Sequence, residues 1–143
     1  MTVKQISVFL ENRPSAMAEF TDVLSKNNID MRALSLAEAA DFGIVRIIVD
    51  DVYNAMQVIK DAGYICNAAK VLAVAIPDEP GGLGKIIHYL GDNEINMEYM
   101  YAFTTRQKDV AYMIFRVKDN ERAIQVLSKN GVKLACQDDL ARL

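Results

Sequence analysis

The segments ENRPSAMAEFTDVLSKNNIDM, running from Glu11 to Met31, and PDEPGGLGKIIHYLGDNEINM, running from Pro77 to Met97, align without a gap. Pro14 and Pro80 are 66 positions apart, and so are Leu24 and Leu90, Ile29 and Ile95, and Met31 and Met97. Further on, VYNAMQVIKDAGY aligns with NERAIQVLSKNGV once two residues are inserted in the second copy, placing Ala55 on Ala123 and Gly63 on Gly131. A repeat of this length reorganises every other reading of the chain. It predicts two copies of one small domain, residues 1–70 and 71–143. No Gly/Ser/Pro linker separates them, so tight packing of the two is expected.

Working outward from the aligned stretches, the periodicities change in the same order in each copy. Val3 to Leu10 and Val71 to Ile76 are rich in β-formers and stop at a polar, proline-containing loop, as strands do. From Ser15 and Gly81 the apolar residues take helical spacing: Met17, Phe20 and Leu24, then Leu83, Ile86, Ile87 and Leu90. Ile29 to Glu38 and Ile95 to Thr104 read as second strands. After the turns AADFG and TRQKD, Ile44 to Val49 and Val110 to Val117 complete hairpins. A second helix carries Val52, Met56 and Ile59, or Ile124 and Leu127, and ends at Gly63 or Gly131, the residue type expected just past a helix C-terminus. A last short strand follows each glycine. The order βαββαβ predicts an α+β chain of two ferredoxin-like units, each an antiparallel sheet with helices on one face.

Composition narrows the function classes. The chain has 143 residues, a net charge of −3 and acidic and basic residues spread throughout, so nothing favours nucleic acid or an anionic membrane as partner. No apolar run approaches a bilayer span and the first residues lack signal-peptide order, so a cytoplasmic location is expected. One histidine and two distant cysteines, Cys66 and Cys136, do not make a metal or iron–sulfur set, so no metal or cofactor is expected. Both cysteines are expected reduced and buried. His88, mid-helix, reads as structural, and Met97, Met100 and Met113 as core or interface filling.

The loops between first strand and first helix, LENRPSAM and IPDEPGGLG, are the most informative stretches. Here the chain resembles the ACT family, regulatory domains of amino-acid biosynthetic enzymes that carry Asn or Asp and then Pro-Gly at the start of the first helix. An Asn-Ile pair opening the second strand completes that signature, matched by Asn28 and Ile29 and more weakly by Glu94 and Ile95. The resemblance covers essentially the whole chain twice. Copy one departs from it, with Ser15 where the family has glycine.

The resemblance implies a non-catalytic sensor that binds a free amino acid as allosteric effector near domain interfaces and regulates amino-acid metabolism in trans; separately, four-stranded sheets whose edges need cover and the two-fold-like repeat lead to the expectation of a homodimer. The regulated enzyme is not specified. Carried over residue by residue, the ligand-binding set is Asn12, Arg13, Ser15, Ala16, Met17, Asn28 and Ile29 in copy one, and Asp78, Gly81, Gly82, Leu83, Glu94 and Ile95 in copy two. Physical chemistry supports the loops independently of the name. A helix N-terminus offers unpaired N–H groups and a positive dipole end to a carboxylate, and glycine lets a ligand approach closely. Asp78, or Asn12, then holds the α-ammonium group.

Other readings remain open at this level. Asn, Asp and Ser before a helix are common caps, and Pro-Gly is common turn chemistry. The same element order describes RNA-recognition modules, and FGIVRIIV loosely resembles their aromatic strand, but the chain is acidic and has no paired aromatic platform. A small enzyme using Asp78, Glu79 or Arg106 lacks a matched nucleophile and base. A structural interaction module with degenerate loops is the other alternative. Saturable binding without turnover distinguishes the sensor from the enzyme.

Overall fold

The computed structural model describes residues 1–143. The elements follow as β1 (Val3–Glu11), α1 (Ala16–Lys26), β2 (Met31–Ala39), β3 (Phe42–Val49), α2 (Val52–Asp61), β4 (Cys66–Pro77), α3 (Gly82–Asp92), β5 (Tyr99–Phe103), β6 (Val110–Arg116), α4 (Asn120–Lys129) and β7 (Leu134–Ala135), with a closing 3-10 helix at Gln137–Arg142. The chain divides into two compact units, Lys4–Ala69 and Lys70–Leu143 together with Met1–Val3.

In the Lys4–Ala69 unit, β3 lies between β1 and β2, antiparallel to both, with Val8 opposite Val45 and Leu36 opposite Val45 from the other side. The chain returns after α2 to the other edge of β1, where the Phe9 N–H donates to the Ile65 carbonyl at 3.0 Å. In the second unit β6 lies between β4 and β5, and β7 pairs with the opposite edge of β4. Both units therefore have the strand order 4-1-3-2 of the split βαβ arrangement. The fold is α+β, two ferredoxin-like units.

The reason is the alternation of the strands. Ile6, Val8 and Leu10 on β1 point to the same side as Val45, Ile47 and Val49 on β3, and all are buried against Phe20 and Leu24 of α1 and Ala55 and Ile59 of α2. The second unit repeats this with Leu72, Val74, Phe115, Leu90 and Leu127. Each such side chain taken out of water contributes roughly 1.5–3 kcal/mol, which is what holds both helices on one face. Met97, Met100 and Met113 pack partly buried against the second core.

Three boundaries differ from expectation. The last strand of copy one and the first strand of copy two form one twelve-residue strand, β4. The second strands begin at Met31 and Tyr99 rather than at Ile29 and Ile95, because the preceding residues terminate helices. And β7 has only two residues before the chain turns into the 3-10 helix. Cys66 and Cys136 are free thiols, half-buried rather than fully buried. Partial burial still raises the Cys66 thiol pKa, with Lys60 opposing.

Candidate functional site

The two loops after β1 and β4 fold alike. Ser15 and Gly81, equivalent in the repeat, stand at the N-termini of α1 and α3 in the left-handed region, with φ of 69° and 84°. Neither helix has a side-chain cap. The second and third N–H groups of each helix are left without an intrahelical acceptor, as at any helix start. Simple capping therefore does not explain Ser15. Asn12 does different work: its amide donates to the Ala40 carbonyl at 3.0 Å, and its backbone N–H to Asp41 at 3.1 Å, tying the loop to the β2–β3 turn. The Asp78 N–H makes the matching bond to Asp109 at 3.1 Å.

Glycine is required at Gly82 for a reason of space. A Cβ there would run into the Pro77 carbonyl oxygen, so the loop folds back on the first turn of α3 more closely than any side chain permits. Copy one has Ala16 at this position.

The charges of the loops are opposite in kind. Arg13 donates to Glu11 at 2.7 Å and to Glu19 at 2.7 Å. The Glu19 hydrogen bond, then that of Glu11, raises the Arg13 pKa further, and the Arg13 bond lowers that of Glu19. Copy two has Glu79 in place of Arg13 and Lys85 in place of Glu19, and these two form no ion pair.

Two pockets adjoin the loops. In the Lys4–Ala69 unit, a pocket of about 280 Å³ is lined by Asn12, Arg13, Ala16 and Met17 together with Leu36 and Glu38. In the second unit, a pocket of about 610 Å³ lies among the β4–α3 loop, α3, the β5–β6 turn and the α4–β7 turn. Gly81 and Gly82 line it, as do Lys85, Tyr89, Asp109, Tyr112 and Lys133, five residues that sequence reasoning did not single out. Asp78, expected to hold an ammonium group, is exposed and does not line the pocket, and neither does Leu83; Glu79 and Asp109 are the carboxylates that do. His88 is exposed and outside it.

Asn28, Ile29, Glu94 and Ile95 are not brought to the loops of their own units. They lie past the other ends of α1 and α3, about 16 Å along the axis for eleven residues. Asn28 and Glu94 have φ of 55° and 56°. Their N–H groups bond to Ser25 and Gly91, and those of Ile29 and Ile95 to Leu24 and Leu90. This is the Schellman arrangement, closed by packing of Ile29 with Leu24 and of Ile95 with Leu90 in the two cores. Helix termination accounts for all four residues.

Around the larger pocket, four side chains differ in volume between the copies. In copy one Phe20 meets Tyr64 edge to face at 5.4 Å, and Phe9 lies 6.1 Å from Phe42. The equivalent residues in copy two are Ile86, Val132, Ala75 and Val110, and all four line the pocket. On the helix side the buried Phe20–Tyr64 pair is exchanged for the smaller Ile86 and Val132, and on the other face Phe9 and Phe42 are exposed. The aligned copies contain this signal, though it shows only when side-chain volumes are compared position by position.

The second unit thus brings together an uncapped helix start, a two-glycine loop and a charged pocket, and no group of three or more His, Cys, Asp or Glu is placed to hold a metal. The chain matches the ACT domain pair family over residues 1–143 and belongs to it. It is similar to protein BT0572 from Bacteroides thetaiotaomicron, with 38% identity over 100% of this chain and 98% of that one, at a TM-score of 0.91. The regulatory subunits of aspartate kinase from Thermus thermophilus and Thermus flavus share the fold at 14% and 12% identity, each over 88% of this chain and 90% of that one, with TM-scores of 0.64 and 0.61. Among curated proteins none matches the sequence. No helix is long and apolar enough to cross a membrane.

Proposed function

We propose that this ACT domain pair is a regulatory chain that binds a free amino acid without turning it over and passes the signal in trans to an enzyme of amino-acid metabolism. The observation that carries the reading is the pocket of about 610 Å³ built on the Gly81–Gly82 loop, with an uncapped helix start and four charged side chains at its wall. An α-carboxylate is stabilised by the positive dipole end of α3, reached at Gly81 and Gly82, and an α-ammonium by Glu79 or Asp109. The fold shared with aspartate kinase regulatory subunits supports a regulatory role. Of the residues an enzyme of this fold would use, Asp78 and Arg106 lie outside the pocket and only Glu79 lines it. The proposal includes a homodimer, for which sedimentation gives twice the chain mass of 15.9 kDa.

A ligand of about ten heavy atoms contributing roughly 0.5–0.8 kcal/mol each implies a dissociation constant from about one to hundreds of micromolar. At about a hundred times that concentration the fold gains roughly 2.7 kcal/mol. A thermal-shift screen against free amino acids is the test. A rise of several degrees for one or a few of them, with the amino acid recovered unchanged, is the expected result; no shift across the whole set, or consumption of the amino acid, removes the reading.

A further inference from the structure

We infer that the amino acid taken by this chain carries a second carboxylate on its side chain, and that each chain takes one such molecule, in the Lys70–Leu143 unit. The inference rests on the amino-acid reading above and deepens it.

The specificity follows from the charges at the pocket wall. Lys85 approaches from α3, Lys133 from the α4–β7 turn, Glu79 from the loop and Asp109 from the β5–β6 turn. None of the four forms an ion pair in the structure. In copy one, by contrast, the charges at the positions of Glu79 and Lys85 are Arg13 and Glu19, bonded to each other at 2.7 Å. Copy two therefore keeps two cations and two anions unpaired around one pocket. A zwitterion with a neutral side chain engages only part of this set. A basic amino acid uses both carboxylates and the helix start and leaves both lysines without a counter-charge. A dicarboxylic amino acid gives its ammonium to Glu79 or Asp109 and its side-chain carboxylate to Lys85 and Lys133, while its α-carboxylate takes the helix start. Of the three classes this one leaves the fewest charges at the wall unengaged, a single carboxylate.

The stoichiometry follows from volume. At the positions of Ile86 and Val132, which line the pocket, copy one carries the larger Phe20 and Tyr64, in contact at 5.4 Å. The smaller pocket beside the copy-one loop, about 280 Å³, contains Arg13 already neutralised by two glutamates.

Calorimetric titration of the full chain with L-glutamate, L-aspartate, L-glutamine, L-asparagine and L-lysine tests both parts. Expected is one molecule of L-glutamate or L-aspartate per chain, bound at least about tenfold more tightly than its amide. Lys85→Met and Lys133→Met, exposed changes that leave the cores intact, should each weaken the acidic ligand by about tenfold and leave the amide within about twofold. Ile86→Phe combined with Val132→Tyr restores the copy-one pair and should abolish binding, with circular dichroism and melting temperature reporting that the variant folds. Equal affinity for acid and amide, preference for L-lysine, two molecules per chain, or lysine variants that bind as the parent does would each overturn the inference while leaving an amino-acid sensor in place. Binding of none of the five, together with a silent screen of the remaining amino acids, overturns the sensor reading itself.

Discussion

Along the sheet face away from the helices, copy one places Phe9, Ile44 and Ala37 in one cross-strand row, and copy two places Ala75, Tyr112 and Phe103 at the same positions. The aromatic bulk sits on the first strand in one copy and on the second and third strands in the other, where Phe103 meets Tyr112 at 6.4 Å. The helix side shows the same exchange without the compensation, since Phe20 and Tyr64 become Ile86 and Val132. Backbone order, capping and helix termination are the same in both copies, while side-chain volume near the loop is not. Duplication supplied two equal scaffolds, and a handful of substitutions left one of them closed and the other open.

The comparison breaks most visibly at the core. Phe20 is fully buried, and Phe20→Ala should cost about 3–5 kcal/mol, because the transfer loss is joined by a cavity between α1 and the Tyr64 turn. Ile86→Ala, at the equivalent place beside an existing pocket, should cost about 2 kcal/mol, since less new cavity is made. Urea unfolding of both variants reads the difference; equal losses would mean that the copy-two pocket closes on its own residues when ligand is absent.

Close approach of the loop is the next difference. Gly82→Ala pushes a methyl group into the Pro77 carbonyl and should cost about 1–3 kcal/mol, whereas Ala16→Gly in copy one should cost about 0.5–1 kcal/mol through chain entropy alone. If Gly82→Ala melts with the parent, the loop of copy two relaxes as freely as that of copy one and glycine is not needed there for packing.

How much of this was legible beforehand depends on the kind of interaction. Helix faces, strand alternation and the glycines after α2 and α4 act over a few residues, and the repeat reports them twice, so the element order and the start of both loops could be read directly. Asn28 and Glu94 match a binding signature, and their left-handed backbone and the bonds of Ile29 and Ile95 back to Leu24 and Leu90 also end the helices. A signature residue and a C-cap residue have the same appearance in one dimension. Lys85, Asp109 and Lys133 were missed because they come from α3, a hairpin turn and a helix–strand turn, and only the folded sheet brings those together. Asp78 illustrates the converse, since it has suitable chemistry and adjoins the correct loop but does not line the pocket.

A smaller effect sharpens the loop comparison. Ser15 holds a conformation that costs an L-residue about 1–2 kcal/mol, and the greater unfolded-state freedom of glycine returns part of it, so Ser15→Gly should stabilise by about 0.5–1 kcal/mol. The reciprocal Gly81→Ser should destabilise by a similar amount. Differential scanning should show melting temperatures displaced by about 2–4 °C in opposite directions. Displacement of both in the same direction would mean that the hydroxyl of Ser15 contributes a contact beyond the backbone geometry.

The smallest expected effect concerns a feature that copy two has and copy one lacks. After two residues of β7 the chain turns into the 3-10 helix, and Asp139 holds that turn: its carboxylate accepts the Cys136 N–H at 2.9 Å, the Cys136 thiol at 3.1 Å and Arg142 at 2.9 Å. These bonds, the backbone one foremost, lower the Asp139 pKa from the ordinary 3.8 to about 2. A lowered carboxylate pKa means that the folded state prefers the ionised form. Its contribution is therefore complete above the unfolded value near 3.8 and is lost as pH falls through about 2. Because the carboxylate remains accessible to solvent in part, the global effect is minor, and the change is best followed locally, as the carboxyl chemical shift of Asp139 and the exchange rate of the Cys136 amide. The expected midpoint is near 2, with amide protection falling in the same range; Asp139→Asn should abolish the titration and leave Cys136 less protected at every pH. A midpoint at 3.8 would show that the bonds from Cys136 and Arg142 do not hold the carboxylate in solution.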